Sequence, residues 1–222
     1  IASLTEYVQY PLSQVENIVT EATVENLGGD TVTNVNVTVN VYNMGTAALE
    51  YTENSTSAPS MLPGGNNIFT FATGFTPSAI GNYYVEYIAT KDQADCVEAN
   101  DTTFAIVQVT DSVYARDNQS IGGGLGTAGI GNGTGGTMGN IYNVINDDTL
   151  TSVQVFISNA NGALQGQQVT INVYDMVAGQ PTNIIATTMT PVLDSAVNMN
   201  SIFNCPLDQS LPLGPGDFFV GA

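Results

Sequence analysis

Four carboxylates crowd one ten-residue stretch: Asp92, Asp95, Glu98 and Asp101. Hard oxygen donors of this kind suit Ca²⁺, which takes six to eight of them at about 2.4 Å. Asp147-Asp148 and the pair Asp111/Asp117 are weaker candidates of the same type. None follows a fixed-spacing calcium loop, so a solvated acidic loop is the competing reading. The carboxylates also admit a glycosidase pair, but that chemistry depends on a separation and a raised pKa that sequence does not show. Gly124-Leu125-Gly126-Thr127-Ala128-Gly129 satisfies the dinucleotide spacing G-x-G-x-x-G. A phosphate cradle needs a strand before it and a helix after it, whereas this flank is more glycine. The two cysteines, Cys96 and Cys205, form a disulfide candidate. A bridge would close a loop of roughly 100 residues and contribute about 4–5 kcal/mol in the chain-entropy model. Two separate thiols are the alternative, and both stay open while the Cα separation is unknown.

Composition narrows the chemistry further. The 222 residues carry 20 acidic side chains and two basic ones, Lys91 and Arg116, for a formal charge of −18, with no His and no Trp. Nucleic-acid binding requires Lys and Arg to replace phosphate counterions, and anionic lipid surfaces make the same demand. Without His there is no Ser-His-Asp triad, no Cys-His dyad and no His-bearing zinc site. No run of 18 apolar residues occurs, so no helical membrane span is expected. The chain opens at Ile1 without a basic n-region or an apolar h-region, as though any signal peptide were already gone. It closes on a turn signal, Gly214-Pro215-Gly216-Asp217, and a strand just begun, Phe218 to Ala222. Both ends suggest a piece of a longer chain.

The elements that must position these groups are strands. Val35, Val37, Val39 and Val41 alternate with Asn34, Asn36, Thr38 and Asn40, the period of a half-buried strand. Val153, Val155 and Ile157 repeat it, as do Val169, Ile171 and Val173. Tyr83 to Ala89 and Phe104 to Val109 are β-rich runs apolar on both faces. Turn chemistry separates the runs at Gly28-Gly29-Asp30, Pro63-Gly64-Gly65-Asn66, Gly81-Asn82 and Asn161-Gly162. No helical period is sustained, so no helix longer than about two turns is expected. Ten of the 18 residues from Gly122 to Gly139 are glycine, a composition that cannot bury a core of its own. The expectation is an all-β chain of two antiparallel β-sandwiches in tandem. A linker at 1–11 precedes a first sandwich at 12–110 of about seven strands. The second sandwich, 111–222, holds the Gly-rich loop 122–139 and reads as incomplete at its C-terminal end.

Several segments together resemble a known context. Leu4 to Gln14 resembles the linker that opens an immunoglobulin-like module in secreted Bacteroidetes proteins. Val24-Glu25-Asn26-Leu27-Gly28 followed by Val32-Thr33-Asn34-Val35 resembles the start of the CARDB-type adhesion module. Gly74 to Tyr83 is similar to its "F-x-P... G-x-Y" stretch, and Asn100-Asp101-Thr102 to the turn before its last strand. Val109 to Asp117, Gly139-Asn140-Ile141-Tyr142 and Val173-Tyr174-Asp175 resemble the junction to, and the early strands of, a following jelly-roll-like module. The resemblance implies a large, multidomain protein exported by a type IX secretion route, extracellular or at the cell surface. It brings no catalytic residues with it.

A subtler pattern is Asp, then Ser or Thr, then an apolar residue or Thr. Five of the 12 Asp residues open such a triplet, against roughly one expected from composition. The hydroxyls are Thr31, Thr102, Ser112, Thr149 and Ser195. The triplet resembles the O-glycosylation signal of Bacteroidetes secretory proteins, and ordinary turn chemistry is the alternative. Three function classes follow. The leading one is a non-catalytic structural or adhesive segment of a secreted or cell-surface protein, with Ca²⁺ as an optional ligand and no required cofactor. The second is an accessory module of an exported hydrolase that binds glycans through sandwich-face aromatics such as Tyr83, Tyr84 and Tyr87, residues for which core packing is the simpler reading. The third is a subunit of an extracellular filament, in which a neighbour's strand completes an open edge. The partners are accordingly neighbouring domains, identical subunits or glycans, with no nucleic acid and no membrane insertion.

Overall fold

A computed structural model describes residues 2–3, 7–94, 97–117, 136–158, 165–189, 191–194 and 200–222. The chain is all-β, of sandwich type, and divides into two compact units, Ile1–Gln119 and Ser120–Ala222. Among the described residues the only helical pieces are single 3-10 turns at Leu12–Gln14 and Glu98–Asn100.

The first unit holds nine described strands: β1 (Ala2–Ser3), β2 (Gln9–Pro11), β3 (Ala22–Glu25), β4 (Val32–Asn43), β5 (Ala48–Asn54), β6 (Ala58–Met61), β7 (Asn66–Phe69), β8 (Gly81–Thr90) and β9 (Thr102–Thr110). The larger sheet runs β2-β9-β8-β4-β5, with β6 also on β4, and the smaller runs β1-β3-β7. The valine alternation of β4 sets its inward face: Val35, Val37, Val39 and Val41 are all buried. Tyr83, Val85 and Tyr87 of β8 and Val107 and Val109 of β9 bury beside them, and Ala22, Val24 and Phe69 of the smaller sheet are buried as well. Strands β5 and β6 lie along one edge of β4, with a gap at Ser55–Ser57. Side chains fill that gap, since Val37 N–H donates to Ser55 Oγ at 2.9 Å and Ser57 Oγ donates to the Val35 carbonyl at 3.3 Å. The ladder's backbone groups therefore keep partners where strand pairing stops.

Both expected boundaries of this unit move outward. Residues 7–11, read as linker, contribute β2, which joins β9 as a parallel edge strand. Residues 111–117, read as the start of the second module, fold back onto the same place. Val8 N–H donates to the Ala115 carbonyl at 2.9 Å, and Ala115 N–H donates to the Gln9 carbonyl at 3.0 Å. The cause is aromatic: the Tyr114 ring lies 4.3 Å from that of Tyr7 and 5.9 Å from that of Tyr10, and Tyr7 and Tyr10 are buried. Arg116 caps the cluster, its guanidinium 4.4 Å above the Tyr7 ring.

The second unit holds six described strands: β10 (Gly139–Val144), β11 (Asp148–Phe156), β12 (Asn172–Val177), β13 (Gln180–Thr187), β14 (Ile202–Leu213) and β15 (Gly216–Gly221). They form a four-stranded sheet, β10-β15-β12-β13, and a two-stranded one, β11-β14, all antiparallel. Val144, Ile171, Val173, Leu193, Cys205 and Leu207 are buried. Thr188 is buried with them and stays satisfied, because its hydroxyl accepts from Ile171 N–H at 3.1 Å. Of the Gly-rich loop, residues 122–135 lie outside the described residues. Its last member, Gly139, is required by strand pairing, since a Cβ there would collide with the Val220 carbonyl oxygen.

Candidate functional site

The acidic stretch serves two separate structural tasks. Asn34 sits in β4 at a left-handed φ of 53°, where the strand's pairing passes from β6 to β8. Asp92 holds that kink: its Oδ2 accepts from Thr33 Oγ1 at 2.9 Å and from Asn34 Nδ2 at 2.6 Å. Gln93 joins the clamp, accepting from Thr33 N–H at 2.8 Å. Asp101 instead pairs with Lys91, Nζ to Oδ2 at 2.8 Å, and its carbonyl accepts from Ala89 N–H. Glu98 is exposed in the 3-10 turn, and Asp95 lies outside the described residues. Among the described residues, no three His, Cys, Asp or Glu side chains stand close enough to hold a metal ion. The candidates Asp147 and Asp148 are adjacent and exposed, and Asp148 Oδ1 accepts from Thr149 N–H at 2.8 Å.

A different carboxylate is the most perturbed. Glu53, inward on β5, accepts from the Tyr51 hydroxyl, from Ala72 N–H at 2.8 Å and from Thr73 Oγ1 at 3.0 Å, with Gly74 N–H at 3.4 Å. Donors that favour the ionised form, Tyr51 foremost, lower its pKa to about 2. The group fastens the loop after β7 to β5. These donors all come from the chain itself and make the carboxylate an internal tie.

Two of the motifs behind the family resemblance, around Asn26 and Tyr83, are likewise loop-fastening devices. Asn26 is buried, with Oδ1 accepting from Gly28 N–H at 3.0 Å and Nδ2 donating to the carbonyls of Asp30 at 2.8 Å and Met61 at 3.1 Å. The Tyr83 hydroxyl donates to the Ala79 carbonyl at 2.9 Å and fastens the loop before β8 to the strand.

Of the five Asp-Ser/Thr hydroxyls, Thr31, Thr102, Ser112 and Thr149 are on exposed residues at strand ends or bends, and Ser195 lies outside the described residues. Cys205 is buried on β14, has no disulfide partner among the described residues, and its thiol pKa is raised by desolvation. Its candidate partner Cys96 lies outside the described residues, as does the G-x-G-x-x-G stretch.

The three tyrosines named as a glycan face separate. Tyr83 and Tyr87 are core residues, 1% and 0% exposed, in line with the simpler core-packing reading and not with a glycan face. Burial raises the pKa of Tyr87, whose hydroxyl accepts from Thr20 N–H at 3.1 Å. Alternation along β8 turns Tyr84 the other way, onto the outer face of the larger sheet. There it meets residues that sequence reasoning missed. Register places Ile106, Tyr84, Tyr42 and Leu49 side by side across β9, β8, β4 and β5. Phe104, one step along β9, stacks on Tyr84 with centroids 5.1 Å apart and planes at 29°, and Tyr42 lies 6.2 Å from Tyr84 on the other side. Phe104, Leu49 and Ile106 are 57%, 51% and 45% exposed. The available signal was that both runs, Tyr83 to Ala89 and Phe104 to Val109, are apolar on alternate residues of both faces.

No family model matches the chain, and no curated protein or solved structure matches it either.

Proposed function

We propose that this chain is a non-catalytic adhesive or structural segment of a secreted or cell-surface protein. The observation that carries the reading is the outer face of the first unit's larger sheet. Its polar side chains are tied to one another across strands: Thr90 to Asn36 at 3.0 Å, Thr38 to Asn54 at 2.6 Å and Thr52 to Asn40 at 2.8 Å. An exposed apolar row crosses this rigid ladder. Such a surface presents a fixed pattern to a partner, and contiguous exposed apolar area of this kind marks interaction sites. The acidic groups support the same reading, because Asp92, Asp101 and Glu53 are each engaged in fastening loops.

The exposure of Thr31, Thr102, Ser112 and Thr149 supports O-linked sugar as part of this surface role, since a transferase reaches such positions and a bulky glycan there stays in solvent. Antibodies raised against the 222-residue chain test the reading on intact cells of its source. Surface labelling, with weaker attachment of cells lacking the chain, is the expected result. A chain confined to the cytoplasm, or turnover of a substrate by the purified chain, would refute it. Intact-mass spectrometry of native material tests the sugar.

A further inference from the structure

We infer that the row Ile106–Tyr84–Tyr42–Leu49, with Phe104 stacked on Tyr84, is a binding platform for a neutral polysaccharide. The inference rests on the adhesive reading and gives it a ligand class. The row spans four hydrogen-bonded strands, about 14 Å at the usual inter-strand spacing. Polar residues flank it along β8 and β4, while Phe104 opposite Glu86 and the exposed Met44 beside Asn82 widen it at two places. On one side stand Gln108 and Asn82, with Gln9 Nε2 donating to Gln108 Oε1 at 2.7 Å. On the other stand Glu86, Asn40 and Thr52, with Asn40 Nδ2 donating to Glu86 Oε2 at 3.2 Å.

An apolar, aromatic strip edged by hydrogen-bonding side chains complements a chain of sugar rings. A pyranose has an apolar face of C–H groups, suited to stacking on an aromatic plane, and hydroxyls around its edge, suited to amide and carboxylate partners. The exposed Phe104 ring, braced on Tyr84, supplies the plane, and the edging side chains are amides, one carboxylate and one hydroxyl that accept or donate at the ring edge.

Charge decides against anionic occupants and against a second copy of the chain. Neither of the two cations belongs to this face: Lys91 is in its ion pair with Asp101, and Arg116 stands over Tyr7. The one charged edging residue is Glu86, in a chain of net charge −18. An anionic glycan or nucleic acid meets repulsion without a counter-charge, and a second copy of the chain meets the repulsion of like net charge. A neutral polysaccharide needs no cation.

Affinity electrophoresis of the full 222-residue chain, in gels holding hydroxyethyl cellulose, xylan, galactomannan or pullulan, tests the platform. At least one polymer should retard the wild type. Tyr84→Ala and Phe104→Ala should each weaken that retardation roughly tenfold or more, the loss expected when an aromatic anchor leaves a small interface. Phe104→Tyr should retain it, and Ile184→Ala, at an exposed residue of the second unit, should leave it unchanged. Melting curves of the variants show that they fold, and retention should survive 0.5 M NaCl. A wild type unretarded in all four gels overturns the inference, as does retardation that persists in both alanine variants. Capture by polylysine or heparin in place of the neutral polymers overturns it too. Cell-surface labelling with an unretarded chain sinks the ligand and leaves the adhesive reading standing, whereas a chain that neither labels cells nor is retarded sinks both.

Discussion

β4 of the first unit and β11 of the second use the same strand pattern to different depth. In the first, the valines of β4 alternate with Asn and Thr and disappear from solvent, Val37, Val39 and Val41 at 0% exposure. In the second, Val153 and Val155 of β11 alternate in the same way but stay half-buried. The difference lies in the neighbours. β4 is flanked by β8 on one side and by β5 and β6 on the other, while β11 has β14 as its sole described partner. Alternation decides which residues face inward, and the number of strands laid alongside decides how completely water leaves them. β11 therefore draws less stability from each of its valines than β4 does, although Ile171 and Val173 of the same unit are as buried as the valines of β4.

That contrast is easiest to break in its cores. Tyr87→Ala removes a fully buried ring and its bond from Thr20, and is expected to cost about 3–5 kcal/mol. Phe203→Ala, on a half-buried side chain of β14, should cost less than half as much. Urea unfolding of both variants measures the pair; equal losses would abolish the distinction. Arg116→Ala strips the cation from the Tyr7–Tyr10–Tyr114 cluster, for an expected loss of about 1–2 kcal/mol and faster proteolysis of the N-terminal strand.

The second unit can be strengthened at one turn. Ala178 and Gly179 join β12 to β13 with φ of 51° and 76°, the two positive angles of a type I′ hairpin. Alanine bears a steric cost there that glycine avoids. Ala178→Gly should raise the melting temperature of this unit, by about 1 kcal/mol of stability, and leave the first unit unchanged.

Acid should act first on the tie between β5 and the loop after β7. The Glu53 pKa is lowered from 4.5 to about 2 in the folded chain, so the unfolded chain takes up the proton first as pH falls. The stability this carboxylate contributes is present above about pH 4.5 and is lost between pH 4.5 and 2. Glu53→Gln should flatten the pH dependence of unfolding in that window, and an unchanged slope would remove the tie from the account. The smallest effect is expected from calcium. With Asp92 bound to the β4 kink and Asp101 to Lys91, EDTA or added Ca²⁺ should leave the melting curve where it is. A Ca²⁺-dependent rise would restore the acidic stretch as a cation site.

Much was legible from residues alone. The all-β class, the inward face of β4 and the turns around Asn26 and Gly64 follow from local rules: a period of two, and side chains that satisfy backbone groups nearby. The lack of cations is equally a property of composition, and it limits the partners whatever the fold. Tertiary structure alone decided what long-range pairing controls. Residues 7–11 join the first unit because Tyr7 and Tyr10 find Tyr114 a hundred residues later. Tyr83 and Tyr87 fall inside while Tyr84 faces out, since a doubly apolar strand has no preferred face until a second sheet covers one of them. Asp92 and Asp101, nine positions apart, are divided by the partners that β4 and β8 bring to them. The row of Ile106, Tyr84, Tyr42 and Leu49 exists only through the registers of four strands, and register is a property of the sheet, which no single segment carries.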